Sequence, residues 1–315
     1  MVVIVGPTAS GKSALGVFLA EQLGGEVVAC DSTQLYRGFD IGTAKPTLAE
    51  RRGVRHHLLD VLAPEEECTA GAYRRMALEV LGEMRSRARL PVFTAGTGLY
   101  LRALLEGLAD APQRSEELRE RLWAKASQRA PGHLHKLLAR LDSEAASRIA
   151  PTDEQKLIRA IEVCVLSHRR ISDVYRAGRN SLEGWRAIKI GLLPPREDLY
   201  ARIGARTDAM QERGWLEEVR QLLAGGLPED AKPFDFIGYR ELRAVLRGEI
   251  SVADAAVSIA QATRRYAKRQ VTWFRREPGV HWLEEFGDAP GAQRAALAWV
   301  RTQLAPGVAP HSKSV

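Results

Sequence analysis

Short apolar runs alternate with longer amphipathic segments over roughly the first third of the chain. Apolar runs of about four to eight residues are typical of buried strands, whereas apolar positions spaced about 3.6 residues apart are typical of helices. The strand-like runs are residues 2–5, "EVVACDS", "HHLLDV" and "LPVFTAGTG", and a helix is predicted from about Ala70 to Ala88. This alternation predicts an α/β fold with a parallel sheet flanked by helices.

The pattern changes to continuous helical periodicity, with many charges, from about Ser115 to Asn180. The run "AIKIGLL" at 187–193 then returns the chain to the sheet, and helical patterns continue to a terminal helix after about Ala289. A tail containing Pro, Ser and Lys follows, and we expect it to fray. We therefore predict a core domain over residues 1–114 and 184–315, interrupted by an all-helical insertion domain over residues 115–183.

A glycine-rich stretch, "GPTASGKS", joins the first predicted strand to a helix. It fits G-x-x-x-x-G-K-[ST], the pattern of a phosphate-binding P-loop. The eight residues are Gly6, Pro7, Thr8, Ala9, Ser10, Gly11, Lys12 and Ser13. Backbone N–H groups of such a loop surround an anion at a helix N-terminus, Lys12 adds a positive charge, and the Ser13 hydroxyl is a candidate Mg²⁺ ligand. The core is thus predicted to be P-loop NTPase-like and to bind a diphosphate, with or without a nucleoside.

Charge and cysteine content narrow the class of protein. The formal net charge of +7 suits a polyanionic partner such as a nucleic acid, although a basic composition alone does not establish one. The cysteines Cys30, Cys68 and Cys164 are far apart, which indicates reduced thiols rather than disulfides or a zinc module. No apolar run is long enough to span a bilayer, so we expect a cytoplasmic protein without membrane contact.

Two polar residues directly follow predicted strands. Asp31 ends "VVACD", where a carboxylate near the phosphate site would accept a proton, although an aspartate that only caps a turn is equally consistent. Thr97 follows another strand between Gly96 and Gly98, where a ligand contact and a plain turn both remain open. The carboxyl ends of parallel strands meet at one edge of the sheet, so both residues should converge on the P-loop.

Basic residues on the predicted helices are less decisive. Helical arginines usually form a solvated face, so position alone does not assign Arg202, Arg206 or Arg220 to phosphate. The run "TRRYAKRQVTWFRR" interleaves cations with aromatics. That arrangement suits an RNA backbone with unstacked bases. It also suits an amphipathic helix with buried aromatics, which is the favoured interpretation for Trp273.

Seven motifs in order along residues 6–275 resemble the tRNA dimethylallyltransferases, also called tRNA isopentenyltransferases, of the IPP transferase family. They are "GPTASGKS", "CDSTQLYRGFDIGTAKP", "HHLLD", "AGTGLYLRALLEGL", "DEQKLIRAIEV", "FIGYREL" and "AKRQVTWFR". The resemblance implies transfer of a dimethylallyl group from dimethylallyl diphosphate to N6 of the adenosine immediately 3′ of the tRNA anticodon. It also implies Asp31 as general base, with Thr97, Arg220, the P-loop and Mg²⁺ at Ser13 acting on the departing diphosphate.

The resemblance further implies a set of tRNA contacts, made to an adenosine flipped out of its stack. These are Asp31, Ser32, Thr33, Gln34, Thr97, Arg119, Gln155, Lys156, Leu157, Ile158, Arg159, Phe236, Ile237, Gly238, Tyr239 and Arg240. The helical insertion is expected to grip the anticodon stem-loop, and the protein is expected to be a monomer.

Other functions share some of these features. A small-molecule P-loop kinase has the same loop and a nearby aspartate, and an adenylate isopentenyltransferase uses the same donor with free AMP, ADP or ATP. The helical insertion and the basic aromatic run favour a macromolecular acceptor. A GTPase-like RNA-binding module would need a guanine motif such as N-K-x-D, which the sequence lacks.

Overall fold

The computed structural model describes residues 1–305 and contains a six-stranded sheet. The strands are β1 (Val2–Val5), β2 (Gly25–Cys30), β3 (His56–His57), β4 (Leu90–Ala95), β5 (Ile188–Leu192) and β6 (Val280–Leu283). They lie in the order β3-β2-β4-β1-β5-β6, and every neighbouring pair is parallel. The segments that follow β1, β2 and β4 therefore meet at one edge. The predicted P-loop NTPase-like α/β fold is confirmed.

Helices connect the strands and continue after β5. In chain order they are α1 (Lys12–Leu23), α2 (Leu48–Arg51), α3 (Ala70–Ser86), α4 (Gly98–Glu106), α5 (Glu116–Gln128), α6 (His133–Leu141), α7 (Ser143–Arg148), α8 (Glu154–Ser167), α9 (Ile171–Arg176), α10 (Arg196–Glu212), α11 (Trp215–Ala224), a 3₁₀ turn (Lys232–Asp235), α12 (Tyr239–Leu246), α13 (Val252–Phe274) and α14 (Pro290–Leu304). Within residues 1–305, none of them combines the length and the apolarity needed to cross a membrane.

The core of the sheet forms around β1, whose four residues are fully buried. α1 packs Leu15 and Leu19 against this strand, and Val300 of α14 joins the same apolar cluster. Burying a side chain of this kind contributes about 1.5–3 kcal/mol, so the cluster fixes α1, and with it the P-loop, on the sheet. Gly16 allows the close approach, because a Cβ there would lie 2.6 Å from the Thr94 side chain.

Two strands differ from the sequence prediction. "HHLLDV" is wrong as a full strand, since β3 holds only its first two residues. Leu58 and Asp60 have φ values of 58° and 56°, and left-handed residues cannot continue an extended ladder. β6 was not predicted, and its four residues are only partly buried at the edge of the sheet. The predicted fraying tail lies outside the described residues.

The helices from α5 to α9 belong to a second compact unit, Leu105–Glu183. Its apolar core includes Leu138, Leu157 and Ile161. A buried carboxylate, Asp142, caps α7 by accepting the Ala145 N–H at 2.9 Å, and it also accepts an N–H from α9. One side chain therefore links two helices of this unit.

Candidate functional site

The P-loop turns between β1 and α1 through left-handed residues, Ala9 with φ 63° and Gly11 with φ 88°. Lys12 bends back over the loop and donates from Nζ to the carbonyl oxygens of Gly6 and Pro7, at 3.0 and 2.7 Å. Burial lowers the pKa of Lys12 to about 8, although the negative charge of Asp31 partly opposes this. The loop thus holds a buried cation at the N-terminus of α1, an arrangement that suits a phosphate anion.

Two residues that follow β6, Gly287 and Asp288, pack against the P-loop. Gly287 donates its N–H to the carbonyl of Ser10 at 2.9 Å, and a Cβ on Gly11 would lie only 2.7 Å from the Gly287 nitrogen. The neighbouring Asp288 forms a bidentate ion pair with Arg202, both oxygens at 2.8 Å. The loop is therefore enclosed by segments that are distant in sequence.

Asp31 follows β2 and faces the same edge. Its Oδ1 accepts the N–H and the hydroxyl of Thr33, at 2.9 and 2.7 Å. Its Oδ2 packs against Gly96, where a Cβ would lie 2.3 Å away, and no residue among 1–305 donates a hydrogen bond to it. The carboxylate is thus fixed through one oxygen while the other stays available as a base.

The side chain of Thr97 stabilises the turn after β2 and lines neither of the two cavities described below. Its Oγ1 accepts the Ser32 N–H at 2.9 Å and donates to Ser32 Oγ at 3.2 Å. The N–H groups of Gly96 and Thr97 both donate to the Cys30 carbonyl at 3.0 Å. The structure therefore places Thr97 beside Asp31 in a position to orient the backbone after β2.

Two cavities meet at Asp31. The inner cavity, about 300 Å³, has a largely apolar wall that includes Trp215, Phe236 and Tyr266. The phosphate cavity, about 460 Å³, is lined by the P-loop. The lining residues common to both are Thr8, Ala9, Asp31, Thr43, Arg206 and Met210. An anion and a flat apolar group can thus approach the same carboxylate from two sides.

The arginine beside the P-loop is Arg206 on α10, which comes within 3.4 Å of the Thr8 hydroxyl. Burial lowers its pKa, Asp31 opposes that shift, and a guanidinium stays charged in either case. Arg220, the arginine implied by family resemblance, is exposed on α11 and pairs with Glu217. It lines neither cavity. In the structure Arg206, and not Arg220, therefore lies beside the P-loop.

Some of the predicted tRNA contacts line the cavities. Ser32, Thr33, Phe236 and Ile237 line the inner cavity, and Gln34 lines the phosphate cavity. The Gln34 side chain donates to two backbone carbonyls of its own loop, at 3.2 and 3.1 Å. These residues are in place to surround a group that reaches Asp31.

The rest of the "FIGYR" segment has structural roles. Gly238 has φ 95°, and a Cβ there would lie 1.9 Å from the Trp215 ring. Tyr239 is fully buried, and its hydroxyl donates to Glu218 at 2.6 Å. Arg240 is exposed and pairs with its neighbour Glu241. None of these three residues lines either cavity, so only the first two residues of the segment, Phe236 and Ile237, do so.

In the helical unit the predicted contacts divide by burial. Leu157 and Ile158 are fully buried in the core of this unit, so their side chains are not exposed at its surface. Gln155 and Lys156 are exposed at the start of α8. Arg159 donates to Glu162 at 2.5 Å, and Arg119 lies 3.6 Å from the same carboxylate. The residue pair Gln155 and Lys156 and the two arginines remain as candidate contacts.

Three further residues of the core, Lys45, Trp215 and Gln270, contribute to the site but were not singled out in the sequence. Lys45 is buried and donates to Asp40, Asp60 and the Tyr36 carbonyl, which ties together the loop after Asp31. Trp215 forms part of the inner-cavity wall.

Gln270 lies on α13 between the P-loop and the 96–97 turn. The buried positions on this helix include Ile259, Ala262, Gln270 and Phe274. A glutamine at an apolar position of an otherwise regular stripe is the sequence signal that would have revealed it.

Comparisons with known proteins agree with this geometry. A family model described as IPP transferase matches residues 34–277. A tRNA dimethylallyltransferase from Solibacter usitatus (strain Ellin6076) is 49% identical over 297 residues, 94% of this chain and 96% of its own length. One from Koribacter versatilis (strain Ellin345) is also 49% identical, over 95% of this chain and 97% of its own.

Solved structures give the same result. The full-length tRNA isopentenylpyrophosphate transferase from Bacillus halodurans has a TM-score of 0.72 at 35% identity, covering 96% of both chains. A eukaryotic dimethylallyltransferase acting on tRNA has a TM-score of 0.80 at 25% identity, covering 96% of this chain and 77% of its own. With a family model matching well over half of the sequence and relatives matching nearly all of it, the chain belongs to the IPP transferase family.

Proposed function

We propose that the protein transfers a dimethylallyl group from dimethylallyl diphosphate to N6 of the adenosine immediately 3′ of the tRNA anticodon, releasing diphosphate. The observation that carries this proposal is the position of Asp31, which lies where a P-loop cavity and a largely apolar cavity meet. A kinase with this loop would hold its phosphoryl acceptor in the inner cavity. The relatives and solved neighbours are instead prenyltransferases that act on tRNA.

On the donor side, the allylic C–O bond breaks and the diphosphate leaves with its electrons. The P-loop amides, Lys12 and Arg206 form the positive surroundings that stabilise this charge. Both cations are desolvated, which strengthens their attraction for an anion. The allylic carbon becomes electron-deficient and is attacked by nitrogen, so no phosphoryl group is transferred.

On the acceptor side, the exocyclic amine is a weak nucleophile because its lone pair is delocalised into the ring. Asp31 takes one N–H proton as the C–N bond forms, and its free Oδ2 is the atom suited to this step. The target adenine must leave its stack to reach this carboxylate. The aromatic wall of the inner cavity, with Phe236 and Tyr266, fits a flipped base.

Mg²⁺ is the metal that we infer for the diphosphate. The Ser13 side chain is exposed at the start of α1 and lines the phosphate cavity, which suits an ion that takes few protein ligands and several phosphate and water oxygens. When bound, it adds positive charge to the diphosphate. No group of three or more His, Cys, Asp or Glu residues within 1–305 is arranged to hold a metal by itself.

The helical unit is the part that we assign to the anticodon stem-loop. Lys156 is 71% exposed, and Arg119 and Arg159 lie on the same unit. An exposed cation such as Lys156 neutralises a backbone phosphate without reading the base sequence. A tRNA acceptor also favours the cytoplasm as the compartment and a monomer as the working form.

The proposal is tested by supplying labelled dimethylallyl diphosphate and Mg²⁺ with either unmodified tRNA or AMP. Label is expected in tRNA only, at the adenosine 3′ of the anticodon. Label in AMP alone would instead identify an adenylate isopentenyltransferase. Phosphate transfer from ATP without the allylic donor would identify a kinase.

The base is tested in the same assay. Asp31→Ala is expected to reduce single-turnover transfer by ~10²-fold or more while tRNA affinity stays within a few-fold. Asp208→Ala is the matched control, since Asp208 is an exposed carboxylate on α10. Near-normal transfer by the Asp31 variant would contradict the assignment.

A further inference from the structure

Gln270 is a buried polar side chain, 5% exposed, on the face of α13 that packs against the core. Its Oε1 accepts the N–H of Thr8 at 2.7 Å, and its Nε2 donates to the carbonyl of Gly96 at 2.8 Å. The two partners require opposite ends of the amide, because one is a donor and the other an acceptor. The orientation of the side chain is therefore determined by its partners.

The two partners belong to the two halves of the reaction. Thr8 is in the P-loop and lines both cavities. Gly96 touches the Asp31 carboxylate and directly precedes Thr97, which holds the backbone after Asp31. The carboxamide of Gln270 therefore connects the P-loop to the 96–97 turn, which contacts Asp31.

The same helix also contributes to the acceptor side. Tyr266, one turn before Gln270, points its hydroxyl at the Gly96 carbonyl at 3.5 Å, and Tyr266 and Arg269 line the inner cavity. Burial, followed by the negative charge of Asp31, raises the pKa of Tyr266, so this hydroxyl stays neutral. α13 thus meets the donor loop, the base and the acceptor cavity within a few residues.

The Gln270 bond also changes which amides the P-loop offers. The Thr8 N–H is directed to the side-chain oxygen of Gln270 and is not directed into the phosphate cavity. The diphosphate is left with the amides further along the loop toward α1. A residue needed only to fill space would not require an amide whose two ends match these two partners.

We propose that Gln270 is a positioning residue, which fixes the distance between the P-loop and Asp31 so that the allylic carbon and the N6 amine meet at the base. The inference rests on the proposed prenyl transfer. Since Gln270 touches neither substrate in this role, it acts on the rate of the bound complex and not on the affinity of either substrate. A misplacement of about 1 Å between reacting groups costs ~10²-fold in rate.

The test compares Gln270→Met with Gln261→Met. Methionine matches the length of glutamine without its hydrogen bonds, and Gln261 is an exposed glutamine on the same helix. Gln270→Met is expected to lower single-turnover transfer to tRNA by ~30- to 100-fold, with the KM of both substrates within about three-fold. Gln261→Met is expected to match the wild type. A Gln270→Met rate within three-fold of the wild type would overturn the proposal.

A second background separates positioning from a general loss of structure. In Asp31→Asn protein the base is already absent, so adding Gln270→Met is expected to cost less than about three-fold. A full additional loss in this background would show that Gln270 serves only the fold. Gln270→Glu keeps the acceptor for Thr8 but loses the donor for Gly96. If Gln270→Met does not fold, Gln270→Glu must show the same loss of rate.

Hydrogen exchange gives a readout that does not depend on prenyl transfer. The Thr8 amide is expected to exchange faster in Gln270→Met than in Gln261→Met, because its acceptor is gone. Unchanged protection would overturn the bridge itself. Absence of transfer to tRNA in the wild type would overturn the proposed function while leaving this measurement meaningful.

Discussion

At the scale of single residues, the environment of Asp31 determines how the site works. Thr33 donates two hydrogen bonds to one carboxylate oxygen, so the side chain cannot rotate freely, and the second oxygen lies against Gly96 without a donor from residues 1–305. A base needs this combination, because a carboxylate oxygen with a donor already bound is a weaker proton acceptor. The position of Asp31 after a strand left a base and a turn cap equally open, and the base role came from the family resemblance. Neither signal revealed Thr33, the residue that orients this side chain.

Removing the Thr33 hydroxyl tests this orientation. Thr33→Val keeps the shape and the backbone N–H but loses the 2.7 Å bond to Asp31. We expect single-turnover transfer to fall ~10-fold, since a hydrogen bond to a charged group contributes about 1.5–3 kcal/mol. Thr33→Ser restores the hydroxyl and should keep most of the rate. Equal losses in both variants would contradict an orienting role.

Replacing the two arginines tests which one serves the diphosphate. Arg206→Gln removes a desolvated cation beside the P-loop, and we expect the KM for dimethylallyl diphosphate to rise at least ~10-fold. Arg220→Gln removes an exposed cation that already pairs with Glu217, so its KM should stay within two-fold. Steady-state kinetics at saturating tRNA distinguishes them, and the opposite ranking would restore Arg220 as the phosphate contact.

Lys12 gives the donor affinity a pH dependence. Its pKa of about 8 in the free protein means that the cation is lost as pH rises above 8, while a bound anion favours the protonated form. The affinity for inorganic diphosphate should therefore be constant below about pH 7 and decline above pH 8. Calorimetric titration from pH 7 to 9 measures this decline. Lys12→Arg should remove it, because a guanidinium stays charged over this range.

At the scale of elements, the sequence predicted which segments are helices and strands better than it predicted which side of each helix is buried. β1, β2 and β4 were visible as apolar runs because they are almost entirely buried. Arg206 and Arg220 both lie on predicted helices, and only the packing of α10 turns the former inward, beside Ile203 and Met210. The end of β3 depends on left-handed backbone at Leu58 and Asp60, which no local apolar pattern signals.

In the helical unit, Asp142 accepts backbone hydrogen bonds from two helices. The hydrogen bonds from Ser172 and Ala145 outweigh the effect of burial and lower the pKa of Asp142. Asp142 therefore stabilises the fold above its unfolded pKa of about 4, and this contribution is lost as pH falls through the lower folded pKa.

Asp142→Ala tests this cap. We expect it to lower the free energy of unfolding by about 1–2 kcal/mol at pH 7, and by less at pH 3. Thermal melts at both pH values measure this. Glu117→Ala, which removes an exposed carboxylate in the same unit, should change neither melt appreciably. An equal loss at both pH values would contradict the ionised cap.

At the scale of the whole molecule, the positive net charge fits a polyanionic acceptor. Binding of tRNA should weaken by ~10-fold or more between about 50 and 200 mM salt, because counterions are released from each neutralised phosphate. Lys156→Ala should weaken binding and reduce the slope, whereas Arg301→Ala, which removes an exposed arginine of α14, is the control. Filter binding across salt concentrations measures both. A slope near zero would indicate an acceptor without a phosphate backbone.

The support of the P-loop by Gly287 and Asp288 has a consequence for biosynthesis. The ribosome translates the loop well before Gly287 and Asp288, yet the folded enclosure of the loop includes both residues. A nascent chain therefore lacks this support of the P-loop until Gly287 and Asp288 have emerged. Premature termination before Gly287 should release a product that cannot bind the allylic diphosphate, so incomplete chains would not sequester this metabolite.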